Sequence, residues 1–234
     1  MIDLSFSWDD GSIHDIKMAE LYNYYDLSAT FFIPTKNNEL KILQKSDVKS
    51  IYEMGMDLGG HTENHIYLDK IHISKVEQEI LSNKFFLEDL SSKKVDIFCY
   101  PGGKFNDQIQ TVVSKHFLRA RTAKTMCFMN NFDKFNIDTT FHFFDRGKLS
   151  MFKNLIQNNP LQIKDFIKTF NLNYFQSVNK LLIDLNNSQK VYKVHIWGHS
   201  WEINKYNLWK QLEDLLILIK NNNINVTSII NEIN

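Results

Sequence analysis

The sequence predicts an α/β fold, a mainly parallel sheet or barrel built as a single domain over residues 1–234, and three observations predict it. Short apolar β-like runs alternate with segments of helical period, the pattern of strand–helix–strand units. The residues best suited to chemistry fall just after those runs, where α/β folds place their active sites. No internal repeat, low-complexity linker or composition shift divides the chain, and 234 residues suffice to bury an ample core.

Residues 2–8 alternate apolar and polar side chains as a strand does, and Asp9-Asp10-Gly11 breaks the run. From His14 to Tyr25, apolar residues recur at helical spacing (Ile16, Met18, Leu21, Tyr22, Tyr25). Residues 29–33 form a short β run closed by Pro34. Ser46 reads as an N-cap for a helix through 48–54, and 57–60 as a strand that delivers His61. Ser74 and Glu77 have capping-box spacing for a helix with apolar face Val76, Ile80, Phe85 and Leu87. Residues 95–100 read as a buried strand ending at Pro101-Gly102-Gly103, 107–115 as a helix and 117–123 as another strand. Between 124 and 173 the pattern mixes a β-like piece at 141–144, a helix near 148–154 and a break at Asn158-Asn159-Pro160. Residues 174–185 are helical in period, 190–197 form a clear strand, and 208–220 an amphipathic helix.

Composition narrows the function classes. Hydrophobic residues make up 43% and charged residues 23%, the balance of a globular chain. Lys+Arg and Asp+Glu both number 27, so no net field draws nucleic acid or an anionic membrane. Cys99 and Cys127 form no C-x-x-C pair, and Cys99 within an apolar run reads as a buried free thiol. The opening residues lack a basic segment followed by an apolar one, and no stretch nears the ~20 apolar residues of a membrane span. The expectation is a soluble, cytoplasmic protein.

Three features follow predicted strands. Ser7-Trp8-Asp9-Asp10-Gly11 places two carboxylates side by side, and neighbours on an extended chain point opposite ways, so one could bind a metal while the other faces substrate. Taken alone, the chemistry of a polar Asp-Gly turn suffices to account for it. Gly59-Gly60-His61-Thr62-Glu63-Asn64-His65 sets two histidines four apart, close enough on one helical turn to share an ion. Two exposed helical histidines are the bland alternative. His195 and His199 close the strand at 190–197; His199 suits a general acid or base, while His195, inside the strand, suits a core histidine.

In order and combination these motifs resemble the polysaccharide deacetylase family (NodB-like, carbohydrate esterase family 4), from Phe6 to His199. The resemblance implies a distorted (β/α) barrel with fewer than eight strands. It implies Asp9 as catalytic base, Asp10, His61 and His65 as metal ligands, and His199 as the general acid. The third-motif loop, here Cys99-Tyr100-Pro101-Gly102-Gly103, implies substrate contacts from Tyr100, Pro101 and Gly102, the Gly102 amide facing the oxyanion. Cys99 stands where the family has an arginine that orients the base, and Arg121 is the candidate replacement. The family's fourth motif, an Asp that tunes the acid histidine, has no clean match; Asp145 and Asp138 are candidates, Asp145 preferred. His142 reads as a structural histidine beside the pocket. Trp8, Trp197 and Trp201 flank the motifs, with Trp201 the candidate to stack on a sugar.

The implied activity is removal of an N-acetyl group from an amino sugar, with an intracellular glycoconjugate or surface-polysaccharide precursor as the expected substrate. Two alternatives stand: hydrolysis of another C–N bond (N-formyl or cyclic imide), or an inactive carbohydrate-binding protein. One Asp and two His suit zinc first, and cobalt, nickel, iron or manganese fit the same donors. The expected partner is an N-acetylated sugar or sugar conjugate, not nucleic acid.

Overall fold

A computed structural model describes residues 1–128, 133–159 and 163–229. The strands among them are β1 (Ile2–Asp9), β2 (Thr30–Ile33), β3 (Asp57–Gly60), β4 (Ile97–Cys99), β5 (Arg119–Arg121), β6 (Phe141–His142), β7 (Tyr192–Gly198) and β8 (Asn225–Val226). The helices are α1 (Asp15–Tyr24), α2 (Lys45–Glu53), α3 (Ile73–Ser91), α4 (Asp107–Ser114), α5 (Lys148–Asn158), α6 (Ile163–Ile167), α7 (Tyr174–Asn186), α8 (Ser200–Lys205) and α9 (Trp209–Asn221). Among the described residues, no helix is long and apolar enough to cross a membrane.

Seven parallel strands run in the order β5-β4-β3-β2-β1-β7-β6, and β8 pairs beside the first half of β1. One extended stretch joins the two ends of this path. Its Ile137 N–H donates to Ala120 on β5, while its Thr140 and Phe143 N–H groups donate to His195 and Trp197 on β7. The curled sheet is thus the distorted (β/α) barrel that the motif pattern implies.

Barrel geometry explains the alternation in β1, whose two faces are both buried apart from a partly covered Asp3. Leu4, Phe6 and Trp8 join the large core beneath the helices, where Tyr22 of α1 meets Phe6 and Trp8 edge-on at 5.3 and 6.3 Å. Ser5 and Ser7 point the other way and bind both ring nitrogens of His195, at 2.6 and 2.8 Å. A second, smaller cluster of Phe32, Ile97, Cys99, Ile137 and Ile229 fills the barrel interior. Gly59 makes room for it, since a Cβ there would sit 2.4 Å from the Phe32 ring.

Several local expectations are corrected. Helix α2 is capped by Gln44 with Asp47 in a reciprocal capping box, not by Ser46. Helix α3 starts at Ile73 behind His72, whose ring accepts from the Ser74 N–H, so Ser74 is not the cap. Glu77 instead pairs with His116 at 2.6 Å. Phe85 is 59% exposed, because α3 turns Val76, Ile80, Asn83 and Leu87 inward. Helices α6 and α8 and strand β8 were not expected; each is short, with too few turns or pairs to leave a period in sequence. Helix α5 ends at Asn158, and Pro160 of the expected break lies outside the described residues.

Candidate metal and hydrolytic centre

The end of β1 brings the two carboxylates to the mouth of the barrel. Asp9 completes the strand, whereas Asp10 leaves it at φ 79 and Gly11 follows at φ 63. A Cβ on Gly11 would meet Ile33 at 3.0 Å and Pro34 at 3.1 Å, so both conformation and space demand glycine. Consecutive left-handed residues turn the Asp10 carboxylate away from Asp9 and towards the histidines.

His61 ends β3. Its N–H donates to Asn83 Oδ1 (2.7 Å), and Asn83 Nδ2 in turn donates to Ile33 O and Thr35 Oγ1. Nδ1 of His61 donates to Cys99 O at 2.8 Å, which leaves the Nε2 lone pair facing Asp10. His65 Nε2 lies 2.9 Å and His61 Nε2 3.5 Å from the same Asp10 oxygen, Oδ1. The expected helical turn between the two histidines is absent: Thr62 and His65 adopt φ 68 and 51, and a loop makes the rings converge to 5.1 Å. Burial alone would raise the Asp10 pKa, but the surrounding His61, His65 and His199 rings hold it far below the usual carboxylate range. Trp201 Nε1 donates to its other oxygen at 2.9 Å.

The ligand atoms of Asp10, His61 and His65 all lie within 4.8 Å of one another. One carboxylate and two imidazoles, with the His61 tautomer set by an outer carbonyl, fit a divalent transition metal. Two neighbouring donor groups do not. In the group Asp9, His61 and Cys99, the Arg121 guanidinium already binds Asp9 and Cys99, and its charge opposes a second cation. In the group His142, His199 and Glu202, the Arg146 Nε–H donates to His142 Nδ1 at 2.9 Å, so His142 Nε2 carries the proton and has no lone pair for a metal.

Arg121 reaches Asp9 from β5, with Nη2 donating to both carboxylate oxygens and, at 3.0 Å, to Cys99 Sγ. Its Nη1 donates to Thr122 O, and the guanidinium lies between the rings of Phe32 (4.9 Å) and Trp197 (5.0 Å). The side chain is fully buried; burial disfavours its charge, but Asp9 and Cys99 outweigh that and its pKa is raised. Burial pushes the Cys99 thiol well up, so it stays neutral beside Asp9, 3.6 Å from Oδ2.

His199 follows β7 as the N-cap residue of α8. Its Nδ1 meets Glu202 Oε2 at 2.6 Å, and its Nε2 lies 3.7 Å from Asp10 Oδ2. Burial opposes the charged ring, yet Glu202, Asp10 and Asp9 together hold its pKa above the ordinary value. Glu202 also accepts from His142 Nε2 at 2.8 Å. Burial would raise the Glu202 pKa, but these two histidines pull it down from 4.5 to about 2. The carboxylate paired with His199 is therefore Glu202, which corrects both fourth-motif candidates. Asp145 turns back to the Gly147 N–H, and Asp138 binds Thr122, Lys124 and Cys127. Glu202 has a sequence signal, i,i+3 from His199 on a helix start. Asn83 has one as well, a polar residue on the Val76–Ile80–Leu87 stripe.

The flanking residues divide. Tyr100 is fully buried, stacked on Phe105 at 4.4 Å with its hydroxyl on Phe135 O, so its side chain contacts core rather than substrate. Pro101 is buried too, and Gly102, at φ 59, lies under the Tyr67 ring, 2.7 Å from where a Cβ would be. Trp8 is buried and cannot stack on a sugar. Trp201 is half-buried beside His199, ring centres 5.3 Å apart. Trp197 stacks on His142 at 4.4 Å, and His195 stays in the core with its pKa pushed well down by burial.

Comparison with known proteins follows this geometry. A peptidoglycan-N-acetylglucosamine deacetylase of Bacillus cereus is 30% identical over 112 residues, which is 45% of this chain and 49% of the relative; the chain thus spans about half of that protein's length. A family 4 carbohydrate esterase from Streptomyces lividans, solved with acetate, superposes with TM-score 0.60 at 14% identity, covering 97% of this chain and 91% of that one. A Bacillus anthracis protein described as a pseudoenzyme of the same family superposes with TM-score 0.58 at 13% identity, covering 97% and 64%. At those identities the two structures speak for the fold. The model of the polysaccharide deacetylase family matches residues 3–120, half of the chain and the part that carries Asp9, Asp10, His61 and His65, and the chain belongs to that family.

Proposed function

We propose that this chain is a metal-dependent carbohydrate N-deacetylase, hydrolysing the acetamide of an amino sugar to acetate and a free amine. The observation that carries this reading is the convergence of the Asp10, His61 and His65 donor atoms beside a separate base–acid pair, Asp9 and His199. Asp10, His61 and His65 would hold the cation. When bound there, it supplies Lewis-acid chemistry, polarising an amide carbonyl and acidifying water.

The chain's own groups do the rest. Asp9, bound through both carboxylate oxygens by Arg121, takes a proton from the water that attacks the acyl carbon. His199, carrying a proton on each nitrogen, is fixed at Nδ1 by Glu202 and offers Nε2–H on the Asp10 side of the site. As the C–N bond breaks, that proton passes to the departing nitrogen. The Gly102 amide, in its left-handed turn, is the candidate donor to the oxyanion. Trp201, half-buried beside His199, offers an aromatic face to a sugar ring.

The test measures metal content of the purified protein and acetate release from N-acetylated sugars, wild type against His61→Ala. About one metal per chain and acetate release, both lost in the variant, support the reading. Metal bound without acetate release would move the activity to another acyl group or C–N bond. A chain that binds no metal in any buffer would make it a carbohydrate-binding relative without catalysis.

A further inference from the structure

A cavity of about 300 Å3 opens next to the hydrolytic centre. Two of its walls, Trp197 and His142, are also the neighbours of His199, with ring centres 5.3 and 5.5 Å from it. The remaining walls come from the loop after β5, from the segment after β6 and from one face of α5. The volume is at the lower end of small-molecule sites, enough for one substituent of a sugar.

The lining has a distinct charge. It includes Lys124 and Arg146, the carboxamides of Asn154, Gln157 and Asn158, and several hydroxyls, but no Asp or Glu. Asp138 holds the Lys124 ammonium in place from outside that lining, at 3.1 Å. Arg146 is anchored through Nε on His142, a ring whose pKa burial lowers, so its guanidinium charge stays uncancelled by that partner. Lys124 and Arg146 therefore make this lining cationic, whereas Asp9 and Asp10 dominate the other side of His199. A substrate with a neutral amide at one end and an anion at the other is oriented by this contrast.

We propose that this cavity is the subsite for an anionic substituent, a phosphate or diphosphate ester, of the sugar whose acetamide lies at the Asp10–His61–His65 end. The proposal rests on the deacetylase reading for the identity of that other end, but not for the binding itself. Arg146 and Lys124 supply the charge and Gln157 of α5 a neutral donor for the ester oxygens, while the Asn154 and Asn158 amide groups donate to Thr125.

Binding to the full-length chain tests it without turnover. The probes are N-acetylglucosamine 1-phosphate and N-acetylglucosamine, followed by tryptophan fluorescence or calorimetry, with inorganic phosphate as a sugar-independent competitor. The phosphorylated sugar should bind at least about tenfold more tightly, the effect of a charge-assisted contact. Gln157→Glu, an exposed substitution that places a carboxylate in the lining and leaves the hydrolytic groups untouched, should abolish this preference and keep the affinity for the neutral sugar. Lys124→Gln should reduce the preference several-fold. Equal affinity for the two sugars, or a preference that survives Gln157→Glu, would overturn the subsite. Acetate release with no phosphate preference overturns the subsite alone, and phosphate preference without acetate release overturns the deacetylase reading alone.

Discussion

Replacing Arg121 by Met tests whether the buried guanidinium sustains the architecture around Asp9. Methionine keeps an unbranched apolar stem between Phe32 and Trp197, so the change removes charge and hydrogen bonds more than volume. What is left behind is an Asp9 carboxylate, 3% exposed as a residue, that has lost its guanidinium. Removing one partner of a buried ion pair costs about 3–5 kcal/mol, because the other charge stays out of water uncompensated. For a chain of this size each kcal/mol corresponds to ~2–4 °C, so Tm should fall by about 6–20 °C. The assay is urea unfolding followed by far-UV circular dichroism, on wild type, Arg121→Met, Asp9→Asn and the double variant. If the cost comes from the orphaned charge, adding Asp9→Asn to Arg121→Met should restore about 2 kcal/mol or more. An Arg121→Met protein within about 1 kcal/mol of wild type, or a double variant no more stable than the single one, would refute this reasoning.

Glu202 sets a pH dependence. Its pKa is about 2 in the folded chain against 4.5 ordinarily, so its contribution is fully present above pH 4.5 and is lost as pH falls from there towards 2. The stability gap between wild type and Glu202→Gln, measured by urea unfolding at several pH values, should be largest between pH 4.5 and 6.5, shrink below pH 4.5, and shrink again above 6.5 as His199 loses the proton that Glu202 stabilises; a gap that widens on acidification below pH 4.5 would contradict the assignment. Gly11→Ala should destabilise by about 1–3 kcal/mol, since it meets both a left-handed φ and contacts near 3.0 Å, and an unchanged Tm would show the turn to be permissive. Asn83→Leu leaves the His61 N–H without its acceptor and should weaken zinc binding about 10–100-fold in a competition titration, with no change expected if His61 is held by Cys99 O alone.

Local chemistry made much of this protein legible in sequence. Strand–turn transitions are short-range events, so the exposed ends of β1, β3 and β7, and hence Asp9, Asp10, His61 and His199, could be located without a fold. The alternation in β1 marked two different faces correctly but not what lay beyond them. In an open sheet the serine face would meet water; in this barrel it meets His195. Helix caps were less legible, because Ser46 and Ser74 satisfy a local rule that Gln44 and His72 satisfy in the folded chain.

By itself, the sequence determined the order of the longer strands and helices, the two carboxylates after β1 and the paired histidines after β3. These depend on residues within a few positions of one another, where backbone preference and spacing decide. Tertiary structure alone decided the pairings between distant elements. Arg121 lies four strands from Asp9 along the sheet path, and only closure of the barrel lets the two meet across its interior. The same folding turned Asp145 and Asp138 to other partners and buried Tyr100 away from the site, whereas Glu202, the partner of His199, lies only three residues on along the chain. The partner of Asp9 is set by where it lies in space, and the neighbours of Asp9 along the chain carry no record of that.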